Sequence, residues 1–474
     1  AAIQIPVNTS MANAGFPPDP NAAAASPSGV VLSTYNTGIS VSTNGGTTFT
    51  DVSLTSPQPG NPARTSFFPQ SDGGLCCDQV IIYLEQQNLF VWLLQYWPLA
   101  SAGTPTTPST ITQANRLRIA WATPTAITSD FWNAWTYADL TGPNIAGVSS
   151  GLGIPNTNWM DYPDLAWSNT FLYVGVDHGS NAPGKVFTGR RLVARLSLAD
   201  IADTAATTVH YDYAELTGSN GLNKTHFMQH APGKMVVGSL DNTSTMRVFT
   251  WDDGSTTIPS STVGISSITT QYNSTDPDGV DWYASSFPGN ITGGVYRRLL
   301  IGLGSPGRDE YMFAFDAGIN SSVGRPRPYV RLESLTPTSG PNYSVVSEYD
   351  IWNNDYAYGI ASLGTDGTEA GMTLAVGGGT VGYPQNAVGY KNDFVVYQVT
   401  SSTATQSTST AVRYGDYFST RLVPGAGLLF ATEVYETLLS PLPPGVTSGT
   451  CVTVGCVARM RFVMFGRPPV EGPR

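Results

Sequence analysis

Two of the four histidines in this 474-residue chain, His226 and His230, lie in one short segment. Histidine gains and loses a proton near neutral pH, so it serves as a general acid, a general base or a metal ligand. A scarce titratable residue placed twice in one segment is the first candidate for chemistry. The alternative is that one or both only complete hydrogen bonds in the core.

Other polar side chains recur in short clusters, each just before an apolar strand signal. The clusters contain Asp19, Asp78, Asp161-Tyr162-Pro163-Asp164, the His226 segment, Asn290, Asp350 with Asn353, and Arg413-Tyr414-Gly415-Asp416. Most follow one another at intervals of about 65 residues, with one longer interval between Asp78 and Asp161. A period of this length indicates that each cluster opens one structural unit.

The elements between the clusters are predicted to be strands. Runs rich in Val, Ile, Thr, Tyr and Phe end in Gly, Asn, Asp or Pro, and Leu196 to Thr204 is the one short helical candidate. Seven such units predict an all-β chain, a seven-bladed β-propeller of four-stranded antiparallel blades, with six or eight blades as alternatives. We expect one domain over residues 1–474, in which Ala2 to Val7 pairs with Cys456 to Phe465 to close the ring.

In a propeller, the residues just before each innermost strand surround one mouth of the central channel, where ligands usually bind. The clusters therefore predict one constellation at that mouth: Asp19, Asp78, Asp161, Tyr162, Asp164, His226, His230, Asn290, Asp350, Asn353, Arg413, Tyr414 and Asp416. The competing interpretation is that each Asp or Asn satisfies backbone N–H groups where the chain turns into its strand.

The segment Ser42-Thr43-Asn44-Gly45-Gly46-Thr47-Thr48-Phe49 resembles the Asp-box hairpin of the sialidase-like β-propeller superfamily. Asn44 takes the position of the Asp and Phe49 that of the Trp. The clusters also resemble those of secreted microbial propellers grouped with sialidases, a branch whose functions are unassigned. The resemblance implies a sialidase-like fold and carbohydrate as the ligand class. Because Arg64 is the one arginine near the N-terminus and lacks a following Ile-Pro, the catalytic residues of sialidases do not carry over.

A glycan is the predicted ligand at the channel mouth, and two reactions compete. A polysaccharide lyase would use His226 or His230 with Tyr162 or Tyr414 as base and acid, while Arg413 neutralises a uronate carboxylate. A glycoside hydrolase would use two carboxylates from Asp78, Asp161, Asp164, Asp350 and Asp416.

A non-catalytic extracellular module, for adhesion or matrix binding, is the alternative to both enzymes. In either case, sugar hydroxyls would be bound by Asp78, Asp161, Asp164, Asn290, Asp350, Asn353 and Asp416. Asp161, Asp350 and Asp416 are also candidate ligands for calcium, which prefers carboxylate oxygens.

The composition excludes several partners. Only 12% of residues are charged, the net charge is −11, and no cluster of basic residues indicates nucleic-acid binding. No apolar run is long enough to span a bilayer. Cys451 with Cys456 and the adjacent Cys76 with Cys77 predict disulfides, against free thiols or a metal site, and so a secreted chain. We expect a monomer.

Overall fold

The computed structural model describes residues 3–14, 18–36, 38–55, 67–68, 73–97, 115–142, 152–154, 158–180, 187–206, 208–217, 225–283, 290–299, 307–379, 382–393, 395–405, 414–440, 451 and 455–467. Within them the chain forms seven sheets arranged as a ring, with antiparallel pairing in all of them and one additional parallel pair, so the predicted seven-bladed β-propeller is confirmed. None of the helices in these residues has the length and apolar character needed to cross a membrane.

Each blade has four strands, which follow one another in order from the axis to the rim. The innermost strands are β2 (Asn21–Ala24), β6 (Leu75–Leu84), β10 (Asn158–Trp167), β14 (Met228–Gln229), β18 (Ile291–Leu299), β22 (Ala357–Thr365) and β26 (Ser419–Leu422). The second strands are β3 (Val31–Tyr35), β7 (Leu89–Tyr96), β11 (Phe171–Ser180), β15 (Lys234–Asn242), β19 (Arg308–Ala317), β23 (Ala370–Gly377) and β27 (Leu428–Leu439).

The third strands are β4 (Gly38–Ser42), β8 (Arg116–Ala122), β12 (Phe187–Ser197), β16 (Thr245–Asp252), β20 (Tyr329–Pro337), β24 (Gln385–Tyr390) and β28 (Cys456–Arg467). The outermost strands are β5 (Thr50–Val52), β9 (Thr136–Thr141), β13 (Tyr211–Thr217), β17 (Ser260–Gly264), β21 (Tyr343–Ile351), β25 (Val396–Gln398) and β1 (Gln4–Ala14). Two helices, α1 (Pro124–Ser129) and α2 (Leu198–Ala202), and a 3-10 turn, Ser321–Val323, interrupt the strands. Helix α2 lies inside the one predicted helical segment.

The innermost strand of the fourth blade is shared with its neighbour. β14 pairs in parallel with β18 of the fifth blade, while the adjacent Phe227 bridges Val237 of β15. Each innermost strand contacts the next one around the axis, and β26 contacts β2. The ring of innermost strands is therefore continuous.

The two ends of the chain close the ring together. β1 pairs antiparallel with β28 along its length, from Gln4 opposite Gly466 to Ala14 opposite Ala458. This confirms the predicted closure, although the strand continues beyond Val7. Pairing of this kind makes the last blade depend on both termini.

Burial explains why the sequence shows little apolar and polar alternation. Every residue of β7 and β22 is buried, because inner strands pack against a blade on each face. β1 lies at the rim and alternates between exposed and partly buried positions. Strand periodicity is therefore visible only at the outside of the propeller.

Both predicted disulfides are present, Cys76–Cys77 and Cys451–Cys456. The first lies in β6, in an irregular stretch of the pairing with β7 between Leu75 and Gln79. The second is at the start of β28.

The hairpin that resembles an Asp-box connects β4 with β5. Asn44 Oδ1 accepts hydrogen bonds from the Ser42 hydroxyl at 2.8 Å and from the Thr48 amide at 3.0 Å. Gly46 has a φ of +82° and packs so closely on Phe462 that a side chain there would clash. Asn44 thus bonds groups of its own turn, at the rim of the blade.

Candidate functional site

The seven innermost strands surround a narrow channel on the axis. Its cavity has a volume of about 20 Å³ and is lined by residues of all seven blades, including Asn21, Asp164, His226, Thr292 and Arg421. A cavity of this size holds about one water molecule. A sugar ring therefore does not fit between the innermost strands.

Three of the predicted mouth residues form a hydrogen-bonded group at the starts of these strands. Asp19 is fully buried; its Oδ1 accepts from the Asp416 backbone N–H at 2.7 Å and its Oδ2 from Asn36 at 2.9 Å. The hydroxyl of Tyr162 donates to the backbone oxygen of Asp416 at 2.9 Å. These bonds join the first, third and seventh blades, so Asp19 acts here as a backbone acceptor.

Asp164 joins the third blade to the fourth. Its Oδ1 accepts from the Leu165 backbone N–H at 2.8 Å and its Oδ2 from that of Phe227 at 2.6 Å, while His226 Nδ1 lies 3.4 Å from Oδ2. Burial acts to raise the pKa of Asp164, but His226, Arg191 and Arg421 outweigh it and hold that pKa below its usual value. The carboxylate is ionised and bound by its neighbours.

The rings of Tyr162, His226 and Tyr417 pack together beside these carboxylates, with centroids 5.4 to 5.7 Å apart. Burial, with Asp416, Asp19 and Asp78 nearby, raises the pKa of both tyrosines well above 10. Both phenols stay protonated near neutral pH, and the hydroxyl of Tyr162 is already donated to the backbone. His226 Nε2 is buried without a hydrogen-bond partner.

The backbone at Tyr162 has a φ of +54°, within a bulge of β10 between Asp161 and Asp164. Asp161 Oδ1 accepts from the Tyr162 N–H at 3.0 Å and from Gln95 at 3.3 Å. Bulges re-aim side chains next to functional sites. Here the bulge directs the Tyr162 ring toward His226.

The structure therefore brings together Asp19, Asp78, Tyr162, Asp164, His226 and Asp416. Asn290 is partly buried directly before β18. Arg413 lies outside the described residues.

Asp350 and Asn353 do not join the group. Asp350 lies in the outermost strand β21, where Arg331 Nε and Arg325 Nε donate to its carboxylate at 2.8 and 3.2 Å. Asn353 Oδ1 accepts from the Asp355 N–H at 2.8 Å in the segment that returns to the axis. Proximity in sequence to an innermost strand was misleading for Asp350, because the chain crosses the whole blade after it.

Tyr414 packs in the core and not in the channel. Its ring makes an edge contact with Trp282 at 5.3 Å, and its backbone oxygen accepts from the hydroxyl of Tyr435. It is buried among the aromatic side chains between blades. An acid role for Tyr414 beside either histidine is not supported.

The carboxylates predicted to bind calcium do not form one site. Among the residues that the structure describes, no three His, Cys, Asp or Glu side chains are grouped as metal ligands. Asp350 is paired with two arginines, Asp161 accepts hydrogen bonds from Tyr162 and Gln95, and Asp416 is in the central group. The calcium hypothesis finds no ligand set in this part of the chain.

A second cavity lies at the opposite mouth, where the innermost strands end. Its volume is about 130 Å³ and its lining includes Tyr83, Gln86, Trp167, His230 and Arg421. Trp167 and His230 make an edge-to-face contact with centroids 5.0 Å apart. We call this space the axial cavity; its other lining residues are Ala23, Ala24, Glu85, Gln87, Ser168, Asn169, Leu422 and Pro424.

The two histidines thus face different spaces, although the sequence placed them at one mouth. His226 lines the channel, whereas His230, which has a φ of +63°, lines the axial cavity. Burial and, to a smaller extent, the charge of Arg421 lower the pKa of His230 to about 4, against the opposing effect of Asp366. Neutral His230 offers one donor and one acceptor at neutral pH.

Arg421 lines both the channel and the axial cavity, and sequence reasoning missed it. Its Nε is buried without a hydrogen-bond partner, and no carboxylate in the described chain forms an ion pair with it. Burial lowers the pKa of Arg421, and Asp164 opposes this effect. A charged residue inside a strand of so weakly charged a chain is the signal that could have identified it.

A third space, of about 690 Å³, lies between the second and third blades near α1 and α2. Trp121, Tyr137 and Tyr211 line it together with Asp200 and Asp203. Tyr137 is 55% exposed and is covered on one face by the guanidinium of Arg118 at 3.9 Å. This groove is larger than the axial cavity.

Neither a family model nor a curated protein matches the sequence. Solved structures that it resembles include a sialidase of Trypanosoma rangeli, with 8% identity and a TM-score of 0.35 over 88% of this chain and 56% of the sialidase. Hsv2 of Kluyveromyces lactis has 8% identity and a TM-score of 0.37 over 91% of this chain and 95% of Hsv2. A thermostable family-43 glycoside hydrolase has 10% identity and a TM-score of 0.31 over 70% of this chain and 94% of the hydrolase.

The chain therefore spans 56% of the length of the first sialidase it resembles. Sialidases are among the structures that resemble this propeller, as the sequence resemblance implied, and likenesses at these TM-scores carry no assignment of activity. The arrangement of its own sheets identifies the chain as a seven-bladed β-propeller.

Proposed function

We propose that the protein is a saccharide-binding β-propeller and that its binding site is the axial cavity. The observation that carries the proposal is the lining of this cavity, where the rings of Tyr83 and Trp167 lie together with amide, hydroxyl and imidazole groups. Small-molecule sites are concave, with apolar walls and a few polar groups that fix the orientation of the ligand. A saccharide needs both, because its ring faces are apolar and its hydroxyls donate and accept hydrogen bonds.

The axial cavity is large enough for a six-membered ring. Its volume of about 130 Å³ is close to that of a ~150 Å³ cavity that accepts benzene. Trp167 supplies the aromatic wall, and neutral His230 can bond a hydroxyl as donor or acceptor. The rest of a longer glycan would extend from the mouth past Gln86 and Gln87.

Binding is favoured over catalysis in this proposal. The oxygens of Asp19 and Asp164 accept backbone N–H groups, and the channel beside His226 has room for about one water. A lyase or hydrolase needs its base within hydrogen-bond reach of the substrate. We further propose a secreted location, which the two disulfides support because such bonds persist in oxidising compartments.

A glycan array tests the proposal with wild type, Trp167→Ala and a matched control, Trp352→Ala. Trp352 is 39% exposed beneath Arg325 on the fifth blade, away from the axial cavity. We expect binding by wild type and by the control, with loss of at least ~10-fold in affinity for Trp167→Ala, the order expected for an aromatic anchor. Equal binding by Trp167→Ala, with an unchanged melting temperature, would overturn the proposed site.

The same array ligands test for catalysis. Incubation of each bound polysaccharide with the protein should produce neither unsaturated product nor new reducing ends. Appearance of either product, and its loss in His226→Ala, would replace the binding proposal by an enzymatic one.

A further inference from the structure

Arg421 is an arginine on the propeller axis that lacks an acceptor. It is partly buried, its Nε is fully buried without a partner, and no hydrogen bond joins its guanidinium to any residue that the structure describes. The buried arginines Arg191 and Arg297 are paired, with Asp177 at 2.8 Å and with Glu310 at 2.8 Å respectively. Burying a charge without a partner costs free energy, and a ligand that supplies an acceptor would offset this cost at Arg421.

The surroundings of Arg421 leave its positive charge uncompensated on the cavity side. Asp164 is the carboxylate that influences it, but that carboxylate is held by two backbone N–H groups and lies near His226. His230 on the cavity side is neutral near pH 7. Glu85 is exposed at the edge of the cavity and forms no ion pair with Arg421.

We infer that the guanidinium of Arg421 binds an anionic group, a carboxylate or a sulfate ester, that the ligand of the axial cavity directs toward the axis. That the ligand is a sugar rests on the proposed function. The inference adds that this saccharide is acidic. The planar guanidinium offers parallel N–H donors that match two oxygens of either group. Trp167 and His230 lie on the same cavity wall, where they would contact the ring that carries the acid.

The experiment uses matched pairs that differ by charge: D-glucuronate with D-glucose, and D-galacturonate with D-galactose, with inorganic sulfate as a third probe. Affinity is measured by calorimetry and by thermal stabilisation, at constant ionic strength set with sodium chloride. Wild type is compared with Arg421→Gln, with Arg421→Lys and with the control Arg190→Gln, whose guanidinium is 53% exposed beside Glu215. Because Arg421 has no ion pair to lose, we expect Arg421→Gln to fold.

For wild type and the control, we expect at least one acid to bind ~10 to 100 times more tightly than its neutral partner, the range for a charge-assisted hydrogen bond. Arg421→Gln should bind the two members of each pair equally, and Arg421→Lys should retain part of the preference. A preference for sulfate over both uronates would assign the anion to a sulfate ester. Equal binding of acid and neutral sugar by wild type, or a preference that survives in Arg421→Gln, would overturn the inference.

The sulfate arm separates this inference from the proposed function. If no sugar binds but sulfate stabilises wild type and not Arg421→Gln, the anion site is supported and the saccharide site is wrong. If neutral sugars bind as tightly as acids, the saccharide site is supported and the anion site is wrong. No effect of any probe would overturn both.

Discussion

The hydroxyl of Tyr162 donates a hydrogen bond to the backbone oxygen of Asp416, 254 residues further along the chain, at 2.9 Å. The bond crosses from the third blade to the start of the seventh. It exists because a bulge with a left-handed backbone turns the Tyr162 ring away from the regular course of β10. The phenol is therefore part of the ring's architecture, although its residue type and position predicted an acid for catalysis.

Tyr162→Phe should lower the free energy of unfolding by about 1 to 3 kcal/mol. The substitution keeps the ring and leaves the backbone oxygen of Asp416 buried without this donor. Urea denaturation of wild type and variant gives the difference. Tyr213→Phe is the control, since its ring is 47% exposed, and it should change stability by less than about 0.5 kcal/mol. Equal stabilities of Tyr162→Phe and wild type would show that the hydrogen bond does not contribute to the free energy of unfolding.

Asp164→Asn should weaken the acid sensitivity of the fold. The folded-state pKa of Asp164 lies below the ordinary value of 3.8, so this carboxylate stabilises the fold above pH 3.8. That contribution is lost as the pH falls through the folded-state pKa. Between pH 6 and pH 2.5, wild type should lose more unfolding free energy than Asp164→Asn, which starts about 1 to 3 kcal/mol less stable. Parallel pH profiles for the two proteins would contradict this.

The histidines should separate stability from binding. His226→Ala removes the partner of Asp164 and should lower the melting temperature while leaving saccharide affinity within about twofold. His230→Asn should lower saccharide affinity and leave the melting temperature unchanged, since Asn tolerates the positive φ at this position. Calorimetry and thermal melts of both variants check the two halves. If His226→Ala lost binding at full stability, the predicted catalytic or binding role of His226 would regain support.

The burial of Glu333 should make the fold less stable as the pH rises. This residue faces Glu348 across β20 and β21, and both of its carboxyl oxygens are buried without a hydrogen-bond partner. Burial, aided by Glu348, raises the pKa of Glu333 to about 8. In the unfolded chain the pKa of Glu333 is 4.5, so the folded state keeps this proton up to a higher pH than the unfolded state does. The free energy of unfolding should therefore fall between pH 4.5 and about 8 and then level off.

Glu333→Gln should remove that slope, which is at most about 1.4 kcal/mol per pH unit for one group. Denaturation at pH 5, 7 and 9 measures it, with the exposed Glu85→Gln as the control. A slope that is unchanged in Glu333→Gln would assign the pH dependence to other groups.

The ring, its blade number and its closure could be predicted from spacing, because each unit repeats the same order of polar cluster and strands. Six of the predicted mouth residues do meet, since clusters that precede an innermost strand share one end of the channel. Asp350 and Tyr414 could not be placed this way: one lies across the blade before the return to the axis, and the other turns into the core.

The axial cavity was beyond sequence reasoning for a different reason. Its residues lie at the ends of the innermost strands and in the turns that follow, without a common motif, and only the fold brings Trp167, His230 and Arg421 together. The narrowness of the channel depends on how closely seven strands pack, which no local pattern encodes. Residue types alone thus indicated a cluster on the axis, but they did not indicate the mouth at which the open cavity lies.

The most direct measurement is a crystal structure of the protein soaked with its tightest array ligand. We expect a sugar ring in the axial cavity, against Trp167 and within hydrogen-bond distance of His230. Density for the ligand in the groove between the second and third blades, beside Trp121 and Tyr137, with the axial cavity empty, would contradict it.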